Sequence, residues 1–391
     1  MAGILLFVLP FVTGILGAHY LLYFTVVRFF QVNTAAGRFL IFFVPFGLTM
    51  SVAIAVALLF THRNAATESF LLAAMLWIGF FINLLLAVAC VWLFRLGTLL
   101  AGVQWDMRVA CFFALAGAVL LTGWGVWNAR APRITNVPIR ISNLPAQWKE
   151  KTIVHLSDMH LGPIRGVEYL SKVAGMVNNL DPALILITGD LFDGMSGDFD
   201  KFVAPLNELR ATHGVFFVTG NHEGYLGLAK PLAAIRETHF RILDNEVADV
   251  DGIQIVGISF PEHDKNEESK AALKLTDEIK KEMPSILMFH TPTDIALSPK
   301  DRGAQQNETY FSPNTNFRFA KENGIDLQLS GHTHQGQFFP FTLVTRLIFK
   351  GFDYGLHKDG DFHIYITSGT GTWGPPMRTG SKSEIVAIRL Q

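Results

Sequence analysis

Five short motifs carry residue types that bind metal or move protons. They are Ser157-Asp158-Met159-His160, Thr188-Gly189-Asp190 with Asp193 three residues on, Gly220-Asn221-His222-Glu223, the lone His290, and Gly331-His332-Thr333-His334. Each follows a short apolar run. In an α/β sheet, groups just past the carboxyl ends of strands converge on one crevice. The converging set mixes imidazoles, carboxylates and one amide, which is the ligand chemistry of Mn, Fe or Zn; calcium favours all-oxygen cages. Seven of these residues suit two metal ions and leave one for proton or charge work. A carboxylate such as Asp190 can bridge two cations about 3.5–4 Å apart, a geometry that activates water and neutralises a phosphoryl group during in-line attack. Glycine beside the ligands lets the chain turn sharply and leaves room for substrate. One Asp-x-His or Gly-Asp alone is a common accident. Five in series at strand ends are not.

The elements that must position these residues are legible as short buried runs. Thr152–Leu156, Ala183–Thr188, Val215–Thr219, Ile253–Ile258, Ile286–Phe289 and Leu327–Leu329 are expected strands. Helical stretches such as Val167–Asn178 and Glu267–Glu282 separate several of them. Alternation of this kind predicts a layered α/β domain. Toward the C-terminus, Lys358-Asp359-Gly360-Asp361 reads as a hairpin turn before a strand at His363–Thr367.

The first 130 residues have a different character. Half of the 391 residues are hydrophobic, yet residues 1–130 hold only Arg28, Arg38, Arg63, Glu68, Arg95, Asp106, Arg108 and Arg130 as charged side chains. The remainder carries 26 basic and 31 acidic residues, a net charge of −5. Apolar stretches at Ile4–Val27, Phe39–Phe60, Phe70–Phe94 and Val109–Trp127 each approach the roughly 20 residues a spanning helix needs. Four membrane spans are therefore expected. Leu96–Val103 would lie in the interface or merge with its neighbour. Arginines divide equally between the two sides, so the positive-inside rule assigns no orientation. His19 and Asn83, polar residues within the spans, are read as hydrogen-bonding between helices. The organisation predicted is a transmembrane region at 1–130, a proline-punctuated linker at 131–148 and the α/β domain at 149–391.

Taken together, the five motifs resemble the calcineurin-like metallophosphoesterase superfamily, whose pattern is D-x-H, G-D-x-x-D, G-N-H-[DE], a later H, and G-H-x-H. All of these stand here in order, over about residues 150–391. The tail SGTGTWGPPMRTGSKSEIVAIRL is similar to that of a bacterial membrane-anchored subgroup with a GHTHGGQ motif, in which Gln335 replaces the first of the two glycines. The resemblance implies a four-layer α/β/β/α sandwich. It implies one metal on Asp158, His160, Asp190 and His334, and a second on Asp190, Asn221, His290 and His332. It makes His222 the group that protonates or stabilises the leaving oxygen, and it puts Asp193 and Glu223 behind the ligands, orienting them by hydrogen bonds. Arg378 is read as a surface arginine and only secondarily as a phosphate contact.

The function these readings imply is a membrane-anchored, dimetal phosphoesterase, with manganese favoured over iron or zinc. It would hydrolyse a phosphomonoester, phosphodiester or pyrophosphate bond in a lipid-linked or nucleotide substrate. A net charge of −5 argues against a nucleic-acid partner. A bacterial cell membrane is the expected location. The alternative is a non-catalytic membrane sensor or binding protein that uses a metallophosphoesterase-like domain.

Overall fold

A computed structural model describes residues 2–194, 198–225, 227–260, 265–295 and 312–391. The chain divides into two compact units, one of residues 1–127 with 374–377 and one of residues 128–373 with 378–391.

The first unit is built on four helices: α1 (Ala2–Phe30), α2 (Ala35–Thr61), α3 (Ala65–Leu100) and α4 (Met107–Asn128). All four are long and apolar enough to cross a membrane. Each expected span lies inside one of them, and α3 absorbs Leu96–Leu100. Its start is set by Asn64, which accepts from the Ala66 and Thr67 amides while Thr67 bonds back to Asn64, a reciprocal cap. His19 Nδ1 donates to Ile15 O (2.7 Å), and its Nε2 lies 3.0 Å from Thr49 Oγ1 of α2. Trp77 of α3 donates to the same threonine oxygen at 3.1 Å. Asn83 reaches Thr122 of α4 at 2.9 Å. The intramembrane polar residues thus bond helix to helix, as the sequence suggested.

In the second unit, two six-stranded sheets face each other. The first has the order β1 (Arg133–Ile139), β12 (Glu384–Leu390), β2 (Thr152–Leu156), β3 (Leu184–Thr188), β4 (Val215–Val218), β5 (Arg241–Ile242). The second has the order β10 (Gly355–Asp359), β11 (Phe362–Ile366), β9 (Leu327–Ser330), β8 (Ser285–Phe289), β7 (Ile253–Ile258), β6 (Glu246–Val250). Both sheets are mixed. β2, β3 and β4 run parallel, and so do β7, β8 and β9. Their carboxyl ends therefore open on one rim per sheet.

Strand alternation explains the layers. Ile153, Leu184, Leu186, Phe216 and Val218 pack between the sheets against Ile255, Ile286, Met288, Leu327 and Leu329. The intervening Val154, Leu156, Ile185, Ile187 and Phe217 face outward and are covered by α5 (Val167–Asn178) through Leu170, Val173, Ala174 and Val177. Val256, Leu287, Phe289 and Ile364 form the corresponding outer core of the second sheet, with Leu275 and Phe319 from its helices. Strands apolar on both faces read as continuous hydrophobic runs. Each such buried side chain is worth about 1.5–3 kcal/mol relative to exposure. The architecture is the α/β/β/α sandwich expected.

The 131–148 stretch departs from its expected role as a linker. Arg133–Ile139 is an edge strand in parallel register with β12, from Arg133 opposite Glu384 to Ile139 opposite Leu390. Only Val137 and Ile139 of this strand are buried, and it contains Pro138. An edge strand tolerates a proline and a polar face, and those features make it look like a connector.

Candidate metal centre

The five motifs meet at the carboxyl ends of β2, β3, β4, β8 and β9. Their backbones are unusual there. Asp158, His160, Asp190, His332 and His334 all have positive φ, between 49° and 69°. Left-handed backbone in non-glycine residues costs about 1–3 kcal/mol and clusters at functional sites. At two points the chains come too close for a side chain. A Cβ on Gly220 would strike the Asp190 carboxylate, and one on Gly331 would strike that of Asp158.

One cluster contains Asp158, His160 and His334. The Nε2 atoms of His160 and His334 lie 2.9 Å apart, and His334 Nε2 is 3.4 Å from Asp158 Oδ1. A neutral imidazole has one donor and one acceptor nitrogen, so at most one proton fits between these two rings. His160 Nδ1 is buried without a partner. Burial holds both histidines well below their ordinary value, so they present lone pairs. Two imidazole nitrogens and a carboxylate oxygen converging on one point fit a divalent cation.

A second cluster contains Asp190, His290, His332 and Asn221. Asp190 Oδ2 is 3.2 Å from His290 Nε2. Asn221 Oδ1 faces His290 Nε2 at 3.1 Å and His332 Nδ1 at 3.0 Å. Asp190 also lies 3.9 Å from His160 Nε2 and 4.0 Å from His222 Nε2. It is the common member, placed to be shared by both clusters. Burial raises the Asp190 pKa, but the facing His290 outweighs it and leaves the carboxyl well below its usual range. Asp158 goes the other way, pushed up to about 6 by burial.

His222 sits beside both clusters, its ring centroid 4.5 Å from that of His160. Its Nδ1 lies 2.7 Å from the backbone carbonyl of Asp193, so Nδ1 donates and Nε2 faces Asp190. The Asp193 group that touches His222 is therefore its carbonyl. Glu223 accepts from the amides of Asp190 (3.0 Å), Gly220 (2.7 Å) and Phe192 (3.1 Å), stapling the loop after β3 to the turn after β4. All ten residues singled out in the sequence come together here.

Two further residues belong to the site. Tyr225, four positions after Asn221, accepts from Asn221 Nδ2 at 2.8 Å and packs against His222, ring centroids 4.4 Å apart and planes tilted by 49°. Arg378 corrects the expectation of a surface arginine, being fully buried. It donates to the carbonyls of His334 (3.1 Å), Ser368 (2.7 Å) and Gly371 (2.8 Å) and to Ser381 Oγ (2.7 Å). With its donors committed to the turns around His334, it has no free face for a phosphate. Gln335 has φ 50° and ψ 34°, the left-handed position that a glycine occupies without strain.

The calcineurin-like phosphoesterase family model matches residues 151–336, the segment that contains all five motifs. A metallophosphoesterase of Helicobacter pylori is 35% identical over 295 residues, covering 74% of this chain and 71% of that protein. The chain belongs to the calcineurin-like metallophosphoesterases. A metallophosphoesterase of Aquifex aeolicus is 30% identical over 281 residues and is covered over 97% of its length. A transmembrane protein with a metallophosphoesterase domain from Danio rerio is 31% identical over 296 residues, covering 71% of this chain and 62% of that one. By class, then, the chain is a metal-dependent phosphoesterase, and its His/Asp clusters supply the ligand chemistry that such enzymes require.

Proposed function

We propose that this chain is a membrane-anchored phosphoesterase using two divalent metals, manganese first among the candidates. It would hydrolyse a phosphomonoester, phosphodiester or pyrophosphate bond in a lipid-linked or nucleotide substrate at a bacterial cell membrane. One metal is held by Asp158, His160, Asp190 and His334, and the other by Asp190, Asn221, His290 and His332. The observation that supports this most is Asp190, whose carboxylate lies within 4.0 Å of histidines from both clusters. Bound there, the cations would supply Lewis acidity that lowers the pKa of an attacking water and neutralises phosphoryl oxygens.

The protein residues have distinct tasks. Glu223 fixes the Asp190 amide and thereby the direction of its carboxylate. Tyr225 holds Asn221 Nδ2, so that Asn221 Oδ1 points at the His290 and His332 nitrogens. His222, fixed through Nδ1, aims Nε2 into the centre; as imidazolium it gives that proton to the leaving oxygen. The negative domain argues against nucleic acid as the substrate.

The test is turnover of aryl phosphate mono- and diesters by detergent-purified protein with Mn²⁺. His222→Ala should lower kcat by about 10²–10⁴-fold, and Asn221→Ala should weaken metal binding. Absence of metal-dependent turnover, or turnover indifferent to both substitutions, would sink the reading.

A further inference from the structure

Three residues beyond the metal-ligand turn at His334–Gly336, the chain enters Phe339-Pro340 and then an eight-residue helix, Phe341–Ile348. On a wheel of 100° per residue, Leu343, Leu347, Val344, Ile348 and Phe341 fill one arc, and Thr345, Thr342 and Arg346 fill the other. A helix on a water-facing surface turns its apolar arc inward. This one is inverted. None of its residues is buried. Leu347 is 80% exposed and Leu343 54%, with Phe341 and Val344 also exposed. The threonine side faces the domain, since a Cβ on Gly380 would meet Thr342 Cγ2 and one on Gly336 would meet the Phe341 backbone.

The apolar face extends past the helix. Phe339 and Trp373 are exposed as well. Gln337 holds the Trp373 loop at both ends, donating from Nε2 to the Trp373 carbonyl (2.9 Å) and accepting from its amide at Oε1 (3.0 Å). Exposed Arg346 and Lys350 provide positive charge at the helix's C-terminal end. An apolar arc with aromatic residues and flanking basic side chains is the composition of helices that lie in the lipid interface.

The chain itself says what covers this face. α4 ends at Asn128 and β1 begins at Arg133. Fully extended, that interval reaches at most about 18 Å. A domain on so short a tether cannot leave the surface of the membrane in which the preceding helices are embedded. An exposed apolar patch on a soluble partner-seeking protein would have many possible occupants; here lipid is always at hand.

We propose that the Phe341–Ile348 helix, with Phe339 and Trp373, lies in the headgroup layer of the bilayer. It thereby holds the metal centre against the membrane to receive phosphate groups of amphiphiles. The membrane contact stands by itself, and the choice of substrate class rests on the phosphoesterase reading above.

The experiment uses the full chain in phosphatidylcholine–phosphatidylglycerol vesicles, with Cys90→Ser and Cys111→Ser and one spin label, at Leu347→Cys or at Lys358→Cys. Contact with lipid predicts that the Leu347 label relaxes with oxygen and is shielded from a water-soluble nickel chelate, while the Lys358 label shows the reverse. Equal nickel access at the two positions overturns the proposal. Dipolar broadening at Leu347 that persists at high lipid-to-protein ratio also overturns it, by assigning the face to a second copy. In parallel, Leu343→Glu with Leu347→Glu should lose at least about tenfold turnover of a vesicle-borne phospholipid phosphate, with soluble aryl phosphate cleaved as before. Equal loss on both substrates, or no loss on either, counts against the substrate class. Failure of the unsubstituted chain to cleave aryl phosphate would indict the enzymatic reading alone and leave the label measurement standing.

Discussion

The guanidinium of Arg378 grips His334 twice, donating to its carbonyl at 3.1 Å and placing Nη2 3.1 Å from its ring Nδ1. Arg378→Lys removes the fork and leaves buried carbonyls unpaired, at about 1–3 kcal/mol for each. We expect a clear fall in melting temperature and about 10–100-fold weaker metal affinity. Calorimetric titration of Mn²⁺ into the variant checks this. Unchanged metal affinity in a folded Arg378→Lys protein would remove the residue from the site.

Tyr225 acts through Asn221. Tyr225→Phe keeps the ring against His222 and deletes the oxygen that accepts from Asn221 Nδ2. One hydrogen bond is worth about 0.5–1.5 kcal/mol. A roughly 3–10-fold loss in kcat/KM at saturating metal follows, with melting temperature nearly unmoved because the side chain is exposed. Tyr225→Ala should lose more, since the ring contact with His222 goes as well.

Glu223 accepts three backbone amides with its two oxygens. Glu223→Gln puts an NH₂ where an acceptor is needed, so at least one buried amide loses its partner. The expected cost is about 1–3 kcal/mol of stability, read by denaturant titration of the metal-loaded and metal-free forms. Because the substitution also frees the Asp190 amide, metal affinity should fall in step. A variant as stable as the parent would show that these three contacts do not matter.

Acidity of His290 sets a pH dependence. Burial lowers its pKa, but Asp190 at 3.2 Å more than offsets this and raises it from 6.5 to about 9. A folded-state pKa raised above the unfolded one gives stability that is complete below about pH 6.5 and disappears as pH rises through about 9. Glu223, raised from 4.5 to about 7 chiefly by burial, gives the same sign over a lower range. The metal-free protein should therefore lose melting temperature between pH 6.5 and 9. A cation on His290 must displace its proton, so metal affinity should climb by up to about tenfold per pH unit across the same window. Titrations in two buffers of different ionisation enthalpy would expose the released proton, and its absence would refute the assignment.

Residues with a local pattern were readable in advance. β2, β3, β4, β7, β8 and β9 are buried on both faces and so stand out as apolar runs, and all but β7 carry ligands within one to four residues of their ends. β1 was not legible because an edge strand presents one polar face, and its arginine and proline imitate a connector. β5 is two residues long and exists only through pairing with β4. Arg378 looked like surface because burial of an arginine needs carbonyl acceptors from distant turns, and no local pattern announces them. Tyr225 lies outside any strand. Its spacing of four from Asn221 within a short helical turn was the one available hint.

β12 lies between β1 and β2 in its sheet. β1 is synthesised first among all the strands, directly after the membrane helices, yet it has no seat until Glu384–Leu390 has been made. The soluble half therefore cannot close its first sheet strand by strand as it emerges from the ribosome. The turns that carry Asp158 and Asp190 are made long before β12, whereas Arg378 and that strand emerge close together, after every other described strand. Closure of the sheet and final alignment of His334 are thus nearly simultaneous events.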